Sequence, residues 1–200
     1  MNSLMIDNFI ITLEKLNTIH TLTKSQESHI CSLFHNKKLF KGEYLVFAGE
    51  ESDLIGYMIK GNLRYYYLDE TGKEYTKYFC QKGHFVSSYV SVIKGEPSSY
   101  SIQALTDIEI VIFSYRKWTE LMLKDKTWAY IALKILEESQ IIGEARERSL
   151  VLNSATERYE QLIDSFPNIE KIVHQYDIAN YLGITSVALS RIRKKIKNIT

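Results

Sequence analysis

Hydrophobic positions change period along these 200 residues, and each change marks a different kind of element. From about residue 40 to 113 the apolar and aromatic residues come in short runs, Leu54 to Lys60, Leu63 to Leu68, Tyr75 to Phe79 and Ile108 to Phe113, divided by glycines. Short runs bounded by turn residues read as strands. Gly49, Gly61, Gly72, Gly83 and Gly95 are 12, 11, 11 and 12 residues apart, a near-constant spacing that implies an antiparallel sheet rolled on itself. Asp69-Glu70-Thr71-Gly72 reads as a hairpin connection in which Gly72 supplies a positive φ. Tyr65, Tyr66, Tyr67, Tyr75 and Tyr78 put rings on both faces of one sheet. Core and cross-strand packing is the default for these rings, and the lining of a ligand cavity is the alternative.

After Pro97 and the last of these runs the period becomes helical. Between residues 127 and 152, Trp128, Ile131, Ile135, Ile142, Ala145 and Leu152 keep a three-four alternation, interrupted by Glu138 and Ser149, while Leu133 and Leu136 fall on another face. Such a helix is buried on two sides: one side would cover the sheet and the other would meet a symmetry mate. Packing of both sides within one chain is the alternative. Trp128, Ile131, Ile135, Ile142 and Ala145 are the positions expected at a dimer seam.

The stretch Gln175 to Lys194 has the spacing of a helix-turn-helix. Ala179 is small where two helices cross closely, and Gly183 sits four residues later at the turn. Ile178, Leu182, Ile184, Leu189 and Ile192 fall where the two helices would share a core. The second helix would start near Thr185, a plausible N-cap, and run into Arg191, Arg193, Lys194 and Lys195. Small and polar residues at its start suit base edges, and cations on its flanks suit phosphates. The candidate DNA-contacting residues are Gln175, Thr185, Ser186, Val187, Ser190, Arg191, Arg193 and Lys194. An ordinary helical hairpin with a basic, solvated face is the competing interpretation.

Charge sharpens the choice. The chain carries a net charge of +1, yet from Lys171 onward six cations (Lys171, Arg191, Arg193, Lys194, Lys195, Lys197) face one acid, Asp177. That end is +5 and the preceding 170 residues are −4, as expected if only this end meets a polyanion. A hydrophobic content of 45% with 24% charge and two prolines suits one medium domain plus one small one. The N-terminal MNSLMIDNFIITLEKL carries Asp7 and Glu14, is too interrupted to span a membrane, and shows no basic leader; a cytoplasmic location is expected. Cys31 and Cys80 lie far apart without a CxxC and read as small core residues in a reducing compartment.

A β-roll, a long helix and a helix-turn-helix in this order, with this glycine ladder, resemble the Crp/Fnr family of bacterial transcription regulators from about residue 20 to the end. The resemblance rests on Lys41-Gly42-Glu43, Tyr57-Met58-Ile59-Lys60-Gly61, the hairpin Asp69 to Gly72, Gly83-His84-Phe85, and Leu189-Ser190-Arg191-Ile192. It implies an α+β fold with an N-terminal antiparallel β-roll of the double-stranded β-helix or jelly-roll kind, a long dimerisation helix, and a C-terminal helix-turn-helix of the winged-helix type. The corresponding divisions are 1–116, 117–152 and 153–200. It also implies a homodimer on a near-palindromic promoter site, with double-stranded DNA, RNA polymerase and an unidentified small-molecule effector as partners, and neither a cofactor nor a membrane.

This sequence departs from the family at both ends of its function. In cyclic-nucleotide-binding members a Gly-Glu-Leu segment holds the ribose and an Arg-Ser pair holds the phosphate. Here the matching places are Ser87-Ser88-Tyr89 and Ser98-Ser99, the candidate effector pocket. Without the arginine a buried phosphate loses its bidentate, charge-assisted partner, so control by cyclic AMP is not expected. The cysteine cluster of oxygen-sensing members is missing, and His20, His35, His84 and His174 form no evident haem or metal set. Where many members have Arg-Glu near the start of the reading helix, this chain has Ser186-Val187. A cytosine acceptor is thereby replaced by a group that can touch a thymine methyl. No nucleophile-base pair, Walker loop or metal-ligand spacing rises above background, so no catalytic residue and no metal is assigned and an enzyme is not expected. A signalling module whose helical tail contacts a protein is the main alternative. A cupin-like enzyme on the roll would need a His/Glu metal set that the sequence does not offer.

Overall fold

The computed structural model describes residues 3–197. Its contacts divide the chain into two compact units: residues up to Tyr65 together with Phe79–Glu137, and Tyr66–Tyr78 together with the residues from Glu138 on.

The first unit opens with two helices, α1 (Ser3–Ile19) and α2 (Lys24–Cys31). A capping box starts α2: the Thr23 hydroxyl accepts from the Gln26 N–H while the Gln26 side chain accepts from the Thr23 N–H, satisfying two orphan donors at once. Eight strands follow: β1 (His35–Leu39), β2 (Tyr44–Val46), β3 (Leu54–Lys60), β4 (Asn62–Leu68), β5 (Glu74–Gln81), β6 (Phe85–Ser87), and, after the short helix α3 (Tyr89–Lys94), β7 (Ser101–Ala104) and β8 (Ile108–Ser114). They form two four-stranded sheets, in the orders β1-β8-β3-β6 and β2-β7-β4-β5. The strands β3 and β8 pair antiparallel from Leu54 opposite Ser114 to Lys60 opposite Glu109, with one irregularity between Met58 and Lys60. All four runs expected to be strands are strands.

The glycine ladder has a conformational cause. Gly49, Gly61, Gly72, Gly83 and Gly95 all have positive φ, which side-chain-bearing residues rarely adopt. Gly61 adds a second requirement, because a Cβ there would lie 2.6 Å from the Asp107 carbonyl oxygen. The hairpin between β4 and β5 is organised by Asp69, whose carboxylate accepts from the Thr71 and Lys73 N–H groups and from the Thr71 hydroxyl. Those donors, the Thr71 hydroxyl first, hold the Asp69 carboxyl down at about 2.

The helix α4 (Tyr115–Lys124) leads into α5 (Lys126–Leu152), as the three-four alternation predicted. The N-terminal half of α5 turns Trp128 and Ile131 into a core with Leu16, Leu22, Ile30, Phe34, Val111, Phe113 and Trp118, and Ile135 packs against that cluster. Burial of this many large side chains is the main favourable term for the unit. Trp128 and Ile131, expected at a dimer seam, are therefore interior residues of their own chain. Periodicity locates an apolar face but cannot say what covers it. Ile142 is half-buried and Ala145 exposed, while Leu133, Leu136, Ile141 and Val151 form exposed apolar positions along the same helix. Cys31 and Cys80 are free thiols, and burial pushes that of Cys80 up to about 12.

In the second unit the C-terminal half of α5 is followed by α6 (Ala155–Ser165), α7 (Ile169–Ile172), α8 (Gln175–Tyr181) and α9 (Ser186–Lys197). Ser154 and Glu157 form a capping box at the start of α6. No strand follows α9 among the described residues, so the winged form implied by the resemblance is not seen in them.

Gly61→Ala should destabilise the roll by about 2–4 kcal/mol, since a strained φ and a backbone clash act together. A denaturant midpoint unchanged from that of the parent chain would show that the turn can rearrange.

Candidate nucleic-acid interface

The two C-terminal helices pack against each other around a small buried residue. Ala179 is buried, and Ile178, Leu182 and Leu189 are fully enclosed, forming the shared core that the spacing anticipated. The turn is set by Gly183, with φ +69°, and by the Ile184 N–H, which donates to the Ala179 carbonyl at 3.0 Å. The next helix begins where expected: the Thr185 hydroxyl accepts from the Ala188 N–H at 3.2 Å, an N-cap bond.

The last carbonyls of α8 are satisfied from outside it. Arg146 of α5 donates to the Tyr181 carbonyl and stacks its guanidinium 3.7 Å from the centroid of the Tyr181 ring. Arg158 of α6 donates to the Leu182 carbonyl at 3.0 Å and to the Asn153 carbonyl at 2.5 Å. Burial pushes the Arg146 guanidinium below its ordinary value.

On its opposite flank α8 meets the hairpin. The Asn180 side chain accepts from the Thr76 N–H at 2.7 Å and donates to the Glu74 carbonyl at 2.6 Å. Both groups lie on the outer edge of β5, the last strand in its sheet, so one amide does what a further strand would do there.

The outward face of α9 carries Val187, Ser190, Arg191 and Lys194, all exposed, with Ser186 half-buried at its start. Positions 187, 190, 191 and 194 follow the i, i+3, i+4, i+7 spacing of one helix face. Thr185 is exposed beside them. The Gln175 side chain donates to the Ser186 carbonyl at 3.1 Å, which ties the start of α8 to the start of α9.

Arg193 does not share this face. It is half-buried on the side of Leu189, Ile192 and Ile196, with its Nε 2.6 Å from Oε1 of Glu170. The same carboxylate oxygen accepts from the Tyr159 hydroxyl at 2.7 Å. Burial, and after it the Glu170 carboxylate, push the Tyr159 phenol up, which keeps it a neutral donor. The Arg193 head group is thus turned to Glu170 and lies off the face that carries Arg191 and Lys194. Counting charge in a segment treats every cation alike, whereas the helical angle puts this one on the inner face.

In the first unit the structure brings together most of the expected effector residues, but as a closed network. Ser88 and Ser98 are buried and their hydroxyls hydrogen-bond each other at 2.8 Å. Ser98 also donates to the Tyr100 carbonyl at 2.7 Å. The Tyr100 hydroxyl accepts from the Tyr89 N–H and donates to the Ser87 carbonyl, and its ring packs 5.6 Å from that of Tyr65. Ser99 and the Tyr89 side chain are exposed. Sequence reasoning missed Tyr100, which directly follows the matched pair and joins both halves of the network. Arg64 is buried on β4 with a guanidinium N–H donated to Oε1 of Gln103 at 3.2 Å. Among the described residues no group of three or more His, Cys, Asp or Glu side chains is arranged to hold a metal ion, and no helix is long and apolar enough to cross a membrane.

Residues 36–125 match the family described as Cyclic nucleotide-binding domain. Over 78 residues the chain is 28% identical to the cAMP-activated global transcriptional regulator CRP of Salmonella typhimurium and 32% identical to its namesake from Pasteurella multocida. Each match takes in 39% of the chain and 37% of the relative's length. Among solved structures, FixK2 from Bradyrhizobium japonicum superposes with a TM-score of 0.71 at 16% identity, covering 83% of this chain and 85% of that one. A Crp/Fnr-family regulator from Eubacterium rectale gives 0.70 at 18% identity, covering 88% and 84%. Residues 36–125 are thus similar to the cyclic nucleotide-binding domain family, and the chain shares the fold of these two solved structures.

Proposed function

We propose that the chain is a sequence-specific DNA-binding transcription regulator that acts as a homodimer and is not controlled by cyclic AMP. The observation that carries the reading is the outer face of α9: a short-side-chain start, Arg191 at its centre and Lys194 beyond, on a helix braced by a close crossing at Ala179 and a glycine turn. In this reading the start of α9 enters the major groove and Arg191 reaches a base edge, while Lys194 and Gln175 approach phosphates. The curated relatives, named as transcriptional regulators, support it, as does the concentration of positive charge after Lys171. RNA polymerase is the further protein such a regulator meets at a promoter.

The dimer rests on α5. Trp128 and Ile131 are committed to the chain's own core, which leaves Leu133, Leu136, Ile141 and Val151 as apolar side chains exposed along a 27-residue helix. A second copy of the same helix covers them at the least cost in exposed apolar surface. The two reading helices then meet half-sites about one DNA turn, roughly 34 Å, apart.

The serine network argues against a cyclic nucleotide. A phosphate placed there would have to break the Ser88–Ser98 pair and would gain only hydroxyl donors, which do not neutralise its charge. A response to a less charged molecule packed against Tyr65 and Tyr100, or DNA binding without ligand, fits this chemistry.

Three outcomes are expected. Arg191→Ala should weaken binding to the cognate duplex by about 1–3 kcal/mol and relax preference at one base pair of each half-site. Uniform weakening on all sequences in a gel-shift series would make it a phosphate contact, and absence of any salt-dependent shift by the parent chain would favour a tail that meets a protein. Leu133→Lys combined with Ile141→Lys should sediment as a monomer and lose the palindrome, so a dimer that survives both changes places the seam elsewhere. Calorimetry with cyclic AMP and cyclic GMP should show no micromolar binding. A micromolar isotherm would mean that a cation such as Arg64 or Lys77 turns to the phosphate.

A further inference from the structure

Three helices of the second unit meet at one carboxylate. Tyr159 of α6 and Arg193 of α9 both reach Oε1 of Glu170 on α7, at 2.7 and 2.6 Å. The side chain of Arg193 keeps 23% of its exposure, while that of Glu170 keeps 40% and lies exposed at the rim of the domain core. The position of Arg193 on its helix is informative. Residues 189, 192, 193 and 196 follow an i, i+3, i+4, i+7 spacing, the complement of 187, 190, 191 and 194. Leu189 is fully buried and Ile192 and Ile196 are half-buried, so Arg193 occupies a place on the apolar face of α9. An arginine placed there extends the packing with its stem while its head group finds a carboxylate.

The geometry points to Arg193 as a positioning residue for DNA reading, which fixes the rotation and tilt of α9 through Glu170 and Tyr159 and touches no DNA itself. This rests on α9 being the reading helix. A helix that reads base edges must present Ser186, Val187, Ser190 and Arg191 at a defined angle, because each base contact depends on placement to a fraction of an ångström. Apolar packing at Leu189, Ile192 and Ile196 leaves α9 free to rotate about its axis by small amounts. An ion pair 4 residues beyond Leu189, with Arg193 Nε 2.6 Å from a carboxylate on a separate helix, limits that freedom. Glu170 has the sign that would repel a DNA phosphate, so its place beside a cation of the reading helix is explained by positioning and is unfavourable for phosphate binding.

The two roles predict opposite signs. In the full-length chain, Arg193→Gln and Glu170→Gln should each weaken binding to the cognate duplex about threefold to tenfold and leave the slope of log K against log salt unchanged. Each should also raise hydrogen exchange of the α9 amides severalfold while the roll amides keep their protection. The exchanged pair, Glu170→Arg with Arg193→Glu, should recover most of both losses. If Arg193 instead clamped a phosphate, Arg193→Gln would lower the salt slope by about 0.9 per half-site, Glu170→Gln would tighten binding, and the exchanged pair would rescue nothing. Any of these results overturns the proposal, as does unchanged exchange in α9. Should the parent chain bind no DNA, the reading of α9 fails, and the exchange measurement still decides whether the link holds the helix.

Discussion

The second unit depends on how the C-terminal end of α8 is satisfied. A helix leaves its last carbonyls without partners, and in a domain of short helices those groups cannot all be turned to water. Here Tyr181 and Leu182 accept from Arg146 and Arg158, and Ala179 accepts from the Ile184 N–H across the Gly183 turn. The last bond makes the turn tight enough for α9 to cross at Ala179. The two arginines fix the end of α8 against α5 and α6. The point at which α9 leaves the turn is set by these contacts, so two of the unit's cations hold its architecture and are not part of its outer charge.

Arg193 extends the same economy. Of the cations in α9, Arg191 and Lys194 face outward and Arg193 faces Glu170. Charge on α9 therefore has two settings, fixed by angle around the helix. In the proposed reading the outer cations would gain from a polyanion that arrives late. The inner one gains from a carboxylate that is always present 2.6 Å away, an ion pair of short range rather than an attraction at a distance.

Much of this was legible in sequence because it is local. The glycine ladder reported five positive φ angles, the strand runs stood between them, and Ala179, Gly183 and Thr185 announced a crossing, a turn and a cap. What escaped is non-local. Trp128 and Ile131 sit on a regular apolar stripe, and the stripe alone could not tell a sheet of the same chain from a second copy. The Asn180 amide pairs with backbone groups 104 and 106 residues away, a distance no spacing rule reaches. The Ser88–Ser98 bond is of the same kind: each serine read as a ligand group, and each turned out to be the other's partner.

That last pair shows how a pocket position can keep its shape after losing its charge. With an arginine at one of these places the site would hold a buried cation, stable only when an anion fills it. With serines at both, the hydroxyls satisfy each other and the Tyr100 carbonyl takes the remaining proton, so the site is complete when empty. The Tyr100 ring, set against Tyr65, adds apolar contact where a ribose and base would otherwise provide it. The two serines and the Tyr100 carbonyl thus satisfy one another within the roll, and an anion placed there would have to displace bonds already made.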